Sequence, residues 1–138
     1  MSDTVRMVNY TYLTAASRPG EAARVLEALG AANVNLLAFS GFPQGRNKAQ
    51  IDLVTDDFDT LKAVARHEKW KLSRTKRAFL VQGIDKVGAA LAPLAKTGGA
   101  SINVTAAYAI AAGEGRFGMM LWVASRDYKR AAKLLEAV

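Results

Sequence analysis

The stretch "RPGEAARVLEALGAANVNLLAF" (residues 18–39) places a Pro-Gly pair before a helix-like pattern, then an Asn, then a strand-like run. Its reading depends on a second stretch, "DKVGAALAPLAKTGGASINVTAA" (residues 85–107), which resembles it at a distance. Gly20 and Gly88 stand 68 positions apart, and that shift, applied without gaps, pairs Leu26 with Leu94 and Gly30 with Gly98. It also pairs Asn35 with Asn103, Gly45 with Gly113, Leu53 with Leu121 and Asp59 with Asp127. Alanine matches arise by chance in so alanine-rich a chain, but glycines, asparagines and the apolar rhythm stay in phase. A period this long exceeds solenoid repeats and points to two duplicated modules, residues 1–73 and 74–138.

Each copy carries the same order of patterns. "VRMVNYTYLTA" is aromatic and β-branched and predicts a strand. Ala22, Val25, Leu26 and Leu29 then follow helical spacing. Pro19 suits a first helical turn, Glu21 suits the positive end of the dipole, and Asn33 suits a left-handed cap. "VNLLAFSGF" and "KAQIDLVT" predict two strands about the turn "PQGRN". Asp56 or Asp57 then caps a helix with Phe58, Leu61 and Ala65 on one face, and "KLSRT" is a short last strand. The second copy repeats this with a helix over 86–97, strands "INVTAAYAI" and "RFGMMLWVA", and a helix over 126–137 capped by Ser125. Position 138 matches Trp70, so this copy ends before a fourth strand. Pro93, inside the second copy's first helix, predicts a kink or a late start, with Leu91 and Leu94 still packing.

The order is β-α-β-β-α-β followed by β-α-β-β-α. The expected fold class is α+β: two tandem ferredoxin-like βαββαβ modules, antiparallel sheets with helices on one face, the second lacking its last strand. Along the third strands, Ala49, Ile51, Leu53 and Thr55, and in the second copy Phe117, Met119, Leu121 and Val123, form the helix-covered face. Opposite lie Arg116, Gly118, Met120 and Trp122, beside the small Thr105, Ala107 and Ala109. So apolar an open face predicts packing on another sheet, either the first copy's or a second chain's, and a homodimer is expected.

Composition narrows the chemistry. The 138 residues are 51% hydrophobic and 22% charged, as in ordinary globular proteins. The absence of cysteine excludes disulfides and thiolate metal sites, and the single histidine, His67, excludes any site needing two. No apolar run reaches about 18 residues and no secretory signal pattern opens the chain, so no membrane association is expected and a cytoplasmic protein is. No nucleophile–base set, phosphate loop or metal spacing is visible, so neither an enzyme nor a cofactor is expected. The net charge of +7 gathers in "RHEKWKLSRTKR" (residues 66–77), read as a solvated helix end and a charged strand edge, or else a nucleic-acid contact. Trp70 and Tyr128 are read as packing or interface residues.

"SRPGEAARVLEALGAANVNLLAF" resembles the signature of ACT domains, small βαββαβ regulatory modules that bind amino acids. In that family an acidic or polar residue precedes a Pro-Gly turn, and a "G-(V/I)-N-(I/L)" stretch opens the second strand. Here these are Ser17-Arg18-Pro19-Gly20 and Val34-Asn35-Leu36. The second copy has Asp85-Lys86-Val87-Gly88, with Val for Pro, and Ile102-Asn103-Val104. The resemblance covers nearly the whole chain. It implies a regulatory protein without a catalytic domain, taking a small-molecule effector, in particular an amino acid, and signalling through module pairing or a separate regulated enzyme. Ligand sites are implied at Ser17, Arg18, Pro19 and Gly20 with Asn35, and at Asp85, Lys86, Val87 and Gly88 with Asn103. The helix N-terminus suits a carboxylate and the asparagines suit an amino-acid head group. The same glycines equally serve a tight turn alone, and the asparagines a cap alone. An RNA-binding module shares the βαββαβ order, but "GRFGMMLWV" (residues 115–123) only partly follows its aromatic pattern. A structural partner subunit is the other alternative.

Overall fold

The structure, a computed structural model, describes residues 3–138, so Met1 and Ser2 of the first expected module lie outside the described residues. The elements are β1 (Thr4–Ala16), α1 (Glu21–Ala31), β2 (Ala38–Pro43), β3 (Lys48–Val54), α2 (Phe58–Glu68), β4 (Lys76–Ile84), α3 (Leu91–Gly99), β5 (Val104–Gly113), β6 (Arg116–Val123) and α4 (Tyr128–Leu134). A 3-10 turn, Ser125–Asp127, leads into α4. The fold is α+β with antiparallel pairing, in two compact units: Asn9–Lys76, and Arg77–Val138 with the described residues up to Val8. The unit change falls three residues beyond the division read at 73/74, and the start of β1 belongs to the second unit.

In the first unit the strands run in the order β2-β3-β1. Alternate residues Leu13, Ile51 and Leu53 face Val25 and Leu29 of α1 and Leu61 of α2, which bury them. The short fourth strand is reduced to one bridge, Leu13 with Leu72, and the Ser73 N–H donating to Tyr12 O at 2.8 Å. In the second unit the order is β4-β6-β5. Phe79, Val81, Phe117, Met119, Leu121 and Val123 lie beneath Tyr128, Ala131 and Leu135. Phe117, the faint RNA-module aromatic, is thus a core residue under the helices. No strand follows α4 among the described residues, and the start of β1 is drawn in instead. Val5 packs on this core, Val138 N–H donates to Val5 O at 2.9 Å, and Met7 N–H donates to Val138 O at 2.8 Å.

The shift of 68 survives in three dimensions. Thr11 opposes Leu53 as Phe79 opposes Leu121, and Ala38 opposes Val54 as Ala106 opposes Trp122. Gly20 and Gly88 both adopt left-handed backbone, φ 89° and 78°. Asn33 (φ 60°) closes α1 as a left-handed residue, as expected, and Ser101 (φ 56°) closes α3 in the same way. Val34 N–H then reaches back to Leu29 O, as Ile102 N–H does to Thr97 O, both at 2.9 Å. Asp57 caps α2 by accepting from Thr60 N–H at 3.1 Å.

Several local expectations are corrected. In α1 only Val25 and Leu29 are buried; Ala22 and Leu26 are exposed, since Leu26 lies about 100° round the helix from Val25 and the small sheet covers a narrow stripe. The α3 helix starts late, at Leu91, which puts Pro93 in a first turn where its missing N–H has no intrahelical partner. Pro93 and Thr97 are its buried residues, while Leu91 and Leu94 face outward. Ser125 opens the 3-10 turn instead of capping, and α4 ends at Leu134. β2 begins at Ala38 rather than at Val34, leaving Asn35 in the connection.

These glycines predict opposite outcomes for one substitution. A Cβ on Gly20 or Gly88 would meet open space, so the cost of alanine there is purely conformational, roughly 1–2 kcal/mol. Gly30, with equally open space and no positive φ, should gain roughly 0.5 kcal/mol as Ala in α1. Urea unfolding of Gly20→Ala, Gly88→Ala and Gly30→Ala checks both signs.

Candidate functional site at the strand-to-helix turns

In the second unit β4 ends at Ile84, and the chain reaches α3 through a turn of consecutive backbone hydrogen bonds. Asp85 N–H donates to Gly115 O at 2.9 Å, tying the turn to the β5–β6 hairpin. Ala89 N–H donates to Lys86 O at 3.0 Å and Leu91 N–H to Gly88 O at 2.9 Å. Between this turn and β5 lies a pocket of about 290 Å³. Asp85, Lys86 and Gly88 form one wall, and Ala109, Ile110 and Ala111 form the other. Three of the four residues expected at this turn therefore line one cavity. The fourth, Val87, is fully exposed at 104% and is not among the lining residues. The small Ala109 and Ala111 leave the space. The expected faces of β5 are corrected here: Ala107 and Ala109, expected on the open face with Met120 and Trp122, pair with Leu121 and Met119 on the helix-covered face. Ala106, Tyr108 and Ile110 oppose Trp122, Met120 and Gly118 instead, because the register shift after Val104 sets which residues of β5 share a face with β6.

Asn103 stands elsewhere. It precedes Val104, which opposes Val123, whereas the pocket lies toward the Ala111–Phe117 pair. Six residue-to-residue steps of extended chain lead from it to Ala109, about 20 Å. The first unit has the same division. Ser17 N–H donates to Asn47 O at 3.0 Å at one end of β3, while Asn35 O accepts from Thr55 Oγ1 at 2.7 Å at the other. Within one unit neither asparagine joins its turn, because the helix between them carries the chain back along the strand's length.

The first turn also differs electrostatically. Glu21, at the start of α1, accepts from Arg18 Nε at 3.0 Å and from Arg24 Nη2 at 2.7 Å. These hydrogen bonds, Arg24 first, hold its carboxyl below the usual carboxylate range. The helix start at Gly20 thus has its own carboxylate, and Arg18 is already engaged by it. The equivalent of Glu21 in the second copy is Ala89, so α3 carries no acidic side chain in its first turn. Of the two turns, the second retains its positive helix end, an exposed lysine and a cavity. Among the described residues no group of three His, Asp or Glu is placed to hold a metal ion, and no helix is long and apolar enough to cross a membrane.

No protein-family model matches the chain, and no curated protein matches it in sequence. Solved structures do match in fold. A protein from Bacteroides thetaiotaomicron superposes with a TM-score of 0.80 at 13% identity, over 96% of this chain and 88% of the other. The ligand-free regulatory subunit of aspartate kinase from Thermus thermophilus gives 0.64 at 13% identity, over 99% and 95%. The same subunit from Thermus flavus gives 0.59 at 15% identity, over 98% and 94%. The chain is an ACT-like protein in its fold.

The pairing at Glu21 sets a pH dependence. A carboxyl with a lowered folded pKa contributes stability above its ordinary range, and that contribution disappears as pH falls through the folded value. Glu21→Gln should therefore be less stable than the parent at pH 7, with the gap closing in acid. Urea unfolding at both pH values tests this, and added salt should narrow the gap at neutral pH.

Proposed function

We propose that this chain is a regulatory protein of two tandem ferredoxin-like ACT modules, binding an amino acid at the Asp85–Gly88 turn and performing no catalysis itself. The observation that carries the reading is the pocket between that turn and β5. In it the Asp85 carboxylate receives the ligand's ammonium group. Lys86 and the uncompensated start of α3 receive its carboxylate. The ligand side chain points along Ala109 and Ala111. The structures sharing this fold include two that carry the name of regulatory subunit of aspartate kinase, and this supports the regulatory half of the reading.

Around the pocket Val87, Leu91 at 66% and Ile110 at 69% exposed form an apolar collar. Such a collar favours coverage by a second copy, so we read the working form as a homodimer. Ser17 to Gly20, Asn35 and Asn103 contribute to a ligand site only where another module or copy brings them to a turn. The signal then passes to a separate regulated enzyme, by a shift between states of different effector affinity.

Thermal unfolding against the twenty amino acids tests this, with a short RNA in parallel. A ligand at 100 times its dissociation constant adds about 2.7 kcal/mol, which should raise the midpoint by several degrees. The expected result is a rise with one amino acid or a few related ones, lost in Asp85→Ala and Lys86→Ala. Silence from all twenty, or a rise that both variants keep, would sink the reading.

A further inference from the structure

The first unit holds a different cavity, of about 270 Å³, between the second half of α2 and the segment that follows it. Its walls are aromatic, Phe58 and Trp70, and two cations, Lys62 and Arg66, border it one helical turn apart on α2. Neither cation has an ion-pair or hydrogen-bond partner among the described residues; the nearby Glu68 pairs with His67 at 2.9 Å. Like charges at i and i+4 repel, so the chain bears a small cost here that an anion would remove. Lys69, in left-handed conformation (φ 61°), ends α2, and Trp70 N–H donates back to Ala65 O at 2.8 Å, setting the indole on the cavity. The rear wall is closed: Thr11 Oγ1 donates to Ser73 O at 2.9 Å, and Ser73 Oγ accepts from Tyr12 N–H at 3.0 Å. The polar side chains left free on its lining are thus the two cations and Thr75.

Comparison of the copies shows that this space is a departure from the repeat. The equivalents of Thr11 and Thr60 are Phe79 and Tyr128, whose rings stack in the second unit at 4.5 Å with planes 4° apart. Tyr128 is sealed there by its hydroxyl donating to Ala78 O at 2.8 Å and by the Arg77 guanidinium 4.2 Å from its ring. The equivalent of Lys62, Arg130, is spent on Ala100 O at 2.8 Å and Asp127 at 3.2 Å, and that of Arg66 is Leu134. The first copy has small hydroxyl residues where the second has stacked rings, and unpaired cations where the second has a paired arginine and a leucine.

From this we propose that the first unit binds a small aromatic carboxylate, its ring against Trp70 and Phe58 and its carboxylate between Lys62 and Arg66. The site is separate from the Asp85–Gly88 turn and does not rest on the reading of that turn. The test follows the two indole N–H resonances of the intact protein by NMR, assigned with Trp70→Phe, during titration with phenylacetate. Acetate and inorganic phosphate serve as head groups without a ring. The expected result is a saturable shift of the Trp70 resonance with phenylacetate, weaker by on the order of tenfold in Lys62→Ala and in Arg66→Ala. Both side chains are exposed, and an unchanged unfolding midpoint verifies that the variants fold. An unmoved Trp70 resonance at millimolar phenylacetate, an equal response to acetate or phosphate, or undiminished affinity in the double variant overturns the proposal. Amide shifts confined to Leu91 and Ile110 would report the other pocket, so the two readings fail independently.

Discussion

The register between the first and third strand of each unit is the constraint from which the rest follows. Leu53 and Leu121 are fully buried, opposite Thr11 and Phe79. Because side chains alternate along a strand, a slip of one residue would turn Ile51 and Leu53, or Met119 and Leu121, out from under the helices. Once that register holds, the ends of the strands are set, and with them the places where the chain must turn toward a helix. The left-handed glycines at 20 and 88 stand at those places, as do the left-handed closures at Asn33 and Ser101. The apolar stripe of each unit thus determines where its turns present backbone and charge.

On this shared frame the two copies have parted chemically. One turn has its own carboxylate, Glu21, pinned between two arginines. The other has an alanine in that position, a longer approach to its helix and a cavity against β5. On the other side of the comparison, Phe79 and Tyr128 stack where the first copy has Thr60 and the cavity-lining Thr11. Each unit keeps its own buried cluster while the positions around that cluster differ. The basic stretch around residues 66–77 acquires local meaning as well: Arg66 borders a cavity, Lys76 lies 5.4 Å from the Tyr12 ring, and Arg77 covers Tyr128.

Much of this was legible in the chain. The gap-free shift of 68, the element order, the Asp57 cap, the left-handed Asn33 and the helix-covered faces of β3 and β6 all depend on spacing and local stereochemistry, which sequence records directly. Less was legible where several elements compete for one residue. Leu26, Leu91 and Leu94 are apolar at helical spacing, yet the sheet beneath covers only a narrow stripe, and they lie outside it. Pro93 was readable as a disturbance, and the late start of α3 resolves it.

The candidate sites divide in the same way. The sequence by itself determined the shift of 68 and the paired glycine turns, because turn chemistry is local. Only the tertiary structure decided that Asn35 and Asn103 stand at the far ends of their strands, that Ala109 to Ala111 complete the pocket, and that Trp70 borders a cavity with Lys62 and Arg66. The physical reason is that a cavity is the space left between elements distant in sequence. Its shape depends on the sum of their side-chain volumes, which no single segment of the chain contains.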